Sequence, residues 1–187
     1  DSLHEKLTER FIDRRTSVLM KKLREDEDFS ATVGEEGEVL VDGEYVGRLD
    51  GLRFAADPRA AGLHGRALKT VAFRGLQGEL AKRAFEIANA DDKAFSLTEH
   101  GRIWWNGAIV ALLEPGHSAL KPRVALQADE QITPTAWARA EGRVREWVES
   151  RIGTVLAPLF ELQAAVEAEG EKALPAAARG FAYRLSE

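Results

Sequence analysis

At 187 residues, 44% apolar and 30% charged, the chain is long and apolar enough to bury one core or two closely packed halves, which excludes wholesale disorder. It has no cysteine, so disulfides, thiolate nucleophiles and cysteine zinc sites are all excluded. The formal net charge of −5 excludes a generally cationic surface; neither a membrane-length apolar run nor a signal peptide is present, so no membrane partner is expected, and the lack of cysteine makes the cytoplasm the expected compartment.

The first element predicted is an amphipathic helix within residues 1–28. Leu3, Leu7, Phe11, Val18, Leu19 and Leu23 recur at three- and four-residue steps, and Lys6, Arg10, Arg14, Arg15, Lys21, Lys22 and Arg24 occupy the other face. Asp26-Glu27-Asp28 ends it. A first unit over 29–92 follows. Its short alternating strands are Ala31–Val33, Val39–Val41, Tyr45–Leu49 and Leu52–Phe54, closed by Asp57-Pro58 because proline cannot continue a ladder. A helix from Leu63 to Ala88 then presents the stripe Leu68, Ala72, Leu76, Leu80, Ala84 and Ile87. Gly65, Gly75 and Gly78 interrupt it, either to let its backbone approach the sheet or at the cost of fraying.

A second unit over 93–170 repeats the plan. Its strands are Phe95–Leu97, Arg102–Trp105, Ile109–Leu113 and Arg123–Leu126, with Pro115-Gly116 and Lys121-Pro122 as breakers. Thr133-Pro134 starts a helix, hydroxyl cap before first-turn proline. Trp137, Val144, Val148, Val155, Leu159 and Leu162 mark its face toward Ala168, and Pro158 should kink or split it. The chain opens on Asp1-Ser2 and stops inside a helical pattern at Tyr183–Glu187, so the expectation is a piece of a longer polypeptide whose last helix, 171–187, is truncated.

The two units match residue for residue. Glu36-Gly37-Glu38-Val39-Leu40-Val41-Asp42-Gly43 lies over His100-Gly101-Arg102-Ile103-Trp104-Trp105-Asn106-Gly107 at one constant separation. Each copy reads strand, Asx-Gly turn, strand, because a type I′ turn needs positive φ at both central residues. The fold class expected is therefore α+β: a duplicated β-meander plus helix with a pseudo-two-fold, flanked by helical segments.

Chemistry-bearing motifs are missing. No phosphate loop is present; Gly65-Arg66-Ala67-Leu68-Lys69-Thr70 lacks the second glycine. His4, His64, His100 and His117 show no metal-ligand spacing, and His100 reads as a turn residue. There is no G-x-S-x-G elbow, and the acidic pairs sit at turns and helix ends. The expectation is no catalytic residue, no metal and no cofactor in these residues.

Two features offer binding instead. Strand alternation puts Val39, Val41, Ile103 and Trp105 on one face, and Leu40 and Trp104 on the other within a polar frame. Leu40 and Trp104 either cap a helix edge or the other repeat, or form an exposed platform for a protein partner or a nucleobase. On the first helix, Arg14, Arg15, Lys21 and Lys22 either contact phosphates or pair with the interleaved Glu5, Glu9 and Asp13. Arg139, Arg143, Arg145 and Arg151 are similarly diluted by Glu141, Glu146 and Glu149.

Several strings resemble a known family. Leu7-Thr8-Glu9-Arg10-Phe11-Ile12-Asp13-Arg14-Arg15-Thr16-Ser17-Val18-Leu19-Met20 resembles the stretch following the motor core in bacterial, chiefly alphaproteobacterial, superfamily-two helicases related to the mitochondrial degradosome RNA helicase. Asp42–Phe54, Gly101–Gly107, Leu120–Val124, Leu156–Leu159 and Ala178–Ala182 are similar to later segments of those proteins. The resemblance implies a C-terminal accessory region of an ATP-dependent helicase. ATP and magnesium would sit in motor domains outside residues 1–187, and no motor residue carries over. Expected work is bracing the motor and guiding single-stranded RNA or DNA through Arg14, Arg15, Lys21, Lys22 and Trp104. The alternative is a protein-docking scaffold using Leu40 and Trp104, without nucleic-acid affinity of its own.

Overall fold

In the computed structural model, which describes residues 17–19, 21, 29–59, 62–118, 120–129, 131–167 and the single positions 175, 178 and 180, the alternating stretches form two four-stranded antiparallel meanders. The first runs β1 (Ala31–Val33), β2 (Glu38–Val41), β3 (Glu44–Asp50) and β4 (Arg53–Ala56), paired in that order. The second runs β5 (Phe95–Leu97), β6 (Arg102–Trp105), β7 (Ala108–Ser118) and β8 (Lys121–Leu126). Helix α1 (Gly62–Ala88) follows the first sheet; α2 (Pro134–Val155) and α3 (Ala157–Glu167) follow the second. The fold is α+β and duplicated.

Duplication extends to individual hydrogen bonds. Gly34 N–H donates to the Glu38 carbonyl at 2.8 Å, and Thr98 N–H to the Arg102 carbonyl at 3.0 Å. Leu49 N–H reaches the Gly37 carbonyl at 2.7 Å, and Leu113 N–H the Gly101 carbonyl at 2.8 Å. The register slips between Val39 and Leu40 in one copy and between Ile103 and Trp104 in the other. Asp42 (φ 51°) and Asn106 (φ 46°) take the left-handed conformation beside Gly43 (φ 83°) and Gly107 (φ 79°), as type I′ corners require. The copies differ chiefly after this corner. β7 has 11 residues against 7 in β3, and it runs through Pro115-Gly116, which the sequence had suggested as a break. An irregular register between Glu114 and Ser118 absorbs the proline, whose missing N–H is tolerated at a bulge.

Both helices serve one interior. α1 packs on the first sheet and on α2, while α2 packs on β8. The α1 stripe Leu68, Ala72, Leu76, Leu80, Ala84 and Ile87 is wholly buried, with Val71 and Phe73 beside it, so the helix is covered on more than one side. Leu19, from the helix expected over 1–28, joins the same core. The remaining described positions of that helix are Ser17, Val18 and Lys21; of the expected last helix, only Pro175, Ala178 and Gly180 are described.

Thr133 caps α2 as read from sequence, its hydroxyl accepting the Ala136 N–H, with Pro134 in the first turn. The helix breaks at Leu156, two residues before Pro158, which has no amide to donate to the preceding turn. The expected stripe holds at Val144 and Val148 and fails at the break. Val155 is 56% exposed, and the buried face of α2 is Ala140, Val144, Trp147 and Val148.

The glycines of α1 divide by environment. A Cβ on Gly75 would lie 2.7 Å from the Ala31 Cβ, so this glycine lets α1 approach β1; a Cβ on Gly78 would meet nothing within 4 Å. Gly78→Ala should therefore raise stability by about 0.5–1 kcal/mol through helix propensity, whereas Gly75→Ala should lower it. Urea unfolding of both variants checks this, and a stabilised Gly75→Ala would refute the close approach.

Candidate functional site

The inner positions Val39, Val41, Ile103 and Trp105 are buried, which leaves Leu40 and Trp104 on the outer sheet faces. Leu40 stands between Thr32 and Tyr45, and Trp104 between Ser96 and Ile109, by strand register. Leu40, Tyr45, Trp104 and Ile109 are all half-buried. Each copy thus carries one apolar cross-strand pair on its outer face, in corresponding places. The Trp104 Nε1–H is buried and has no hydrogen-bond partner among the described residues. Buried indoles ordinarily find an acceptor, so this donor is an exception within the sheet.

Of the cations expected to meet nucleic acid, Arg14, Arg15 and Lys22 lie outside the described residues; Lys21 is helical, exposed and engaged in an interaction. His100 is an exposed turn residue with Nε2 3.6 Å from Glu99 Oε1. His117 is exposed at the far end of β7, and the remaining two histidine side chains lie outside the described residues. Among the described residues no group of three or more histidines or carboxylates could hold a metal ion.

Surface concavities among the described residues are built between elements, three of them described below, and sequence patterning alone does not mark them. A groove of about 600 Å³ runs between α1 and α2, lined by Ala81, Ala84, Ala88 and Ala136 with Phe85 at 63% exposure on its rim. Arg143 reaches into the base of this region. Its Nε donates to the Ala90 carbonyl at 3.0 Å, its Nη2 pairs with Asp92, and the guanidinium lies 5.4 Å from the Phe95 ring centroid. The sequence grouped Arg143 with surface arginines; here it ties α2 to the end of α1, its stem covering apolar surface.

A second, polar cleft of about 530 Å³ lies where the Asn106-Gly107 corner meets the first sheet and α1. Arg83 spans it, its Nη1 donating to the Gly51 carbonyl at 3.0 Å and its Nε to Glu79 Oε1 at 2.9 Å. The third concavity joins α1, β4 and the segment after β8. Its seam is held by Asp129, whose carboxylate accepts the Phe54 N–H while its own N–H donates to the Leu52 carbonyl at 3.1 Å.

Among the described residues no helix is long and apolar enough to cross a membrane. Comparison with known protein families, with curated proteins and with solved structures finds no match.

Proposed function

We propose that this chain is the non-catalytic C-terminal accessory domain of an ATP-dependent superfamily-two helicase, working in the cytoplasm to brace the motor and guide a single RNA or DNA strand. One observation carries the strand-guiding part. Trp104 occupies an outer sheet face and is half-covered. An aromatic ring in that position suits a nucleobase, which can stack on it.

The accessory part is supported by where the family-like strings fall. Asp42-Gly43 and Asn106-Gly107 are the corners of the two sheets, and Leu156–Leu159 is the break between α2 and α3. These are fold determinants, in keeping with a scaffold whose chemistry lies elsewhere. ATP and magnesium belong to motor domains beyond these residues, and no residue here is given a part in holding them.

Fluorescence anisotropy with labelled single-stranded RNA and DNA of about 15 nucleotides at low salt tests the proposal. The wild-type chain should bind, and Trp104→Ala should weaken binding by about tenfold, the scale of one stacked base. Charge reversal at Arg14, Arg15, Lys21 and Lys22 should flatten the salt dependence. If neither nucleic acid binds, strand guidance is wrong.

The protein-docking alternative is favoured by a different observation, the exposed Phe85 on the alanine-lined groove. A chain that binds no oligonucleotide, yet captures its motor domains and loses them on Phe85→Ser, would select that reading.

A further inference from the structure

The helical surface of the chain keeps one aromatic ring in water. Phe85 on α1 is 63% exposed, the most exposed large apolar residue among those described. Its neighbours one turn away on the same face, Ala81 and Ala88, are too small to cover it. With Ala84 and Ala136 they line the groove of about 600 Å³ between α1 and α2, so a protruding ring stands beside a hollow on one surface. Aromatic side chains left bare on a surface are favoured anchors of protein contacts.

The charges around the groove select what can cover it. Arg143 is committed to Asp92 and to the Ala90 carbonyl. Lys82 and Glu86, on either side of Phe85 in sequence, already pair with each other at 3.9 Å. Arg139 and Glu146 remain: both are exposed, both line the groove, and neither has an ion-pair partner among the described residues. They are seven residues apart, two turns of α2, so they share one face at a separation of about 10 Å. One cation and one anion cancel, and such a rim selects neither nucleic acid nor a peptide of one sign. It does complement itself when reversed. A two-fold axis through the groove, midway between the two positions, sets Arg139 of each copy against Glu146 of the other.

We propose that the α1–α2 groove is the interface of a symmetric dimer of this chain, with each Phe85 ring entering the alanine-lined hollow of the other copy and the Arg139–Glu146 pair formed twice. A closed two-fold uses one patch on both sides, so one bare ring beside one hollow is sufficient. A contact of this extent belongs at the low end of specific interfaces, below about 1,200 Å² in total, and so forms and separates with concentration. The inference goes beyond strand guidance, since Trp104 is not among the residues that line the groove. It assigns to a second copy the surface that the docking alternative gives to the motor domains.

Sedimentation velocity of the whole chain, from about 1 to 300 μM at low salt, tests this. The average mass should rise toward twice that of one chain. Phe85→Ser should abolish the rise and leave the Tm at the lowest concentration unchanged, because the ring is exposed in the single chain. Arg139→Glu alone and Glu146→Arg alone should each weaken association at least tenfold, since each sets like charges face to face at two places. Both changes in one chain should restore it, because the exchanged charges meet again across the two-fold. A mixture of the two single variants should associate for the same reason. A purely structural part for either residue predicts no such rescue. A wild-type chain that stays single throughout overturns the inference; if that chain instead captures its motor domains and loses them on Phe85→Ser, the groove belongs to the docking alternative. Association that survives Phe85→Ser, or that the charge exchange fails to restore, puts the interface elsewhere and overturns it too. Strand guidance stands or falls separately, on oligonucleotide binding by the wild-type chain and Trp104→Ala.

Discussion

Gly37→Ala should lower the stability of the chain by about 3 kcal/mol, well above the cost of the same change at the neighbouring corner glycine. Gly37 has φ +85°, and a Cβ there would lie 2.5 Å from the Leu49 carbonyl oxygen. Left-handed backbone costs a residue with a Cβ roughly 1–2 kcal/mol, and the collision with fixed backbone adds to it. The Gly37 carbonyl also accepts the Leu49 N–H at 2.7 Å, so relief of the clash pulls against a bond that sets the β2–β3 register. Gly101 is the matched position, with φ +70° but a nearest contact of 3.3 Å to the Leu113 side chain, so about 1–2 kcal/mol is expected there. Gly43 and Gly107 have positive φ with nothing within 4 Å and should lose about 1 kcal/mol each. Urea unfolding of the four alanine variants checks the order. Equal losses at Gly37 and Gly43 would show that the close approach contributes nothing.

Those glycines also show why much of the fold was legible. A corner with positive φ admits few residue types, so Asp42-Gly43 and Asn106-Gly107 announce themselves locally, and the flanking alternation assigns the faces. The α1 stripe was legible for the same reason: its six positions follow helical spacing and all are buried. Val71 and Phe73 were missed because α1 is covered by a sheet and by a second helix, and a one-sided stripe describes only part of such a surface. Val155 failed because the Pro158 break ends the helix a residue later, and the face it shared with Val148 goes no further. The candidate site was less legible than the fold. Trp104 was placed by alternation, but Arg53 and Lys69 line one concavity only because β4 and α1 pack together, which spacing along the chain does not announce. Arg143 misled for a physical reason: a long cationic side chain among surface residues can lie flat on an aromatic ring and bond a helix-end carbonyl.

Trp147→Ala should cost about 4 kcal/mol and should do so in one cooperative unfolding transition. Trp147 is 6% exposed on α2, with its ring centroid 5.5 Å from that of Phe95 at the start of the second sheet. Truncating a buried tryptophan removes its transfer free energy and leaves a cavity, together about 3–5 kcal/mol. The damage should not stop there. Phe95 also carries the Arg143 guanidinium, which bonds the Ala90 carbonyl at the exit of α1, so a loosened Phe95 weakens the tie between the helices. α1 in turn buries Leu76 and Leu80 in the interior that both units share. Trp147→Phe keeps an aromatic neighbour for Phe95 and should recover more than half of the loss, since aromatic pairs contribute about 0.5–1.5 kcal/mol beyond area. Unfolding followed by far-UV circular dichroism and by tryptophan fluorescence should give coincident curves for both variants. Two separated transitions, with the first sheet outlasting the second, would mean that each unit holds its own core and that the shared interior is not what stabilises the chain.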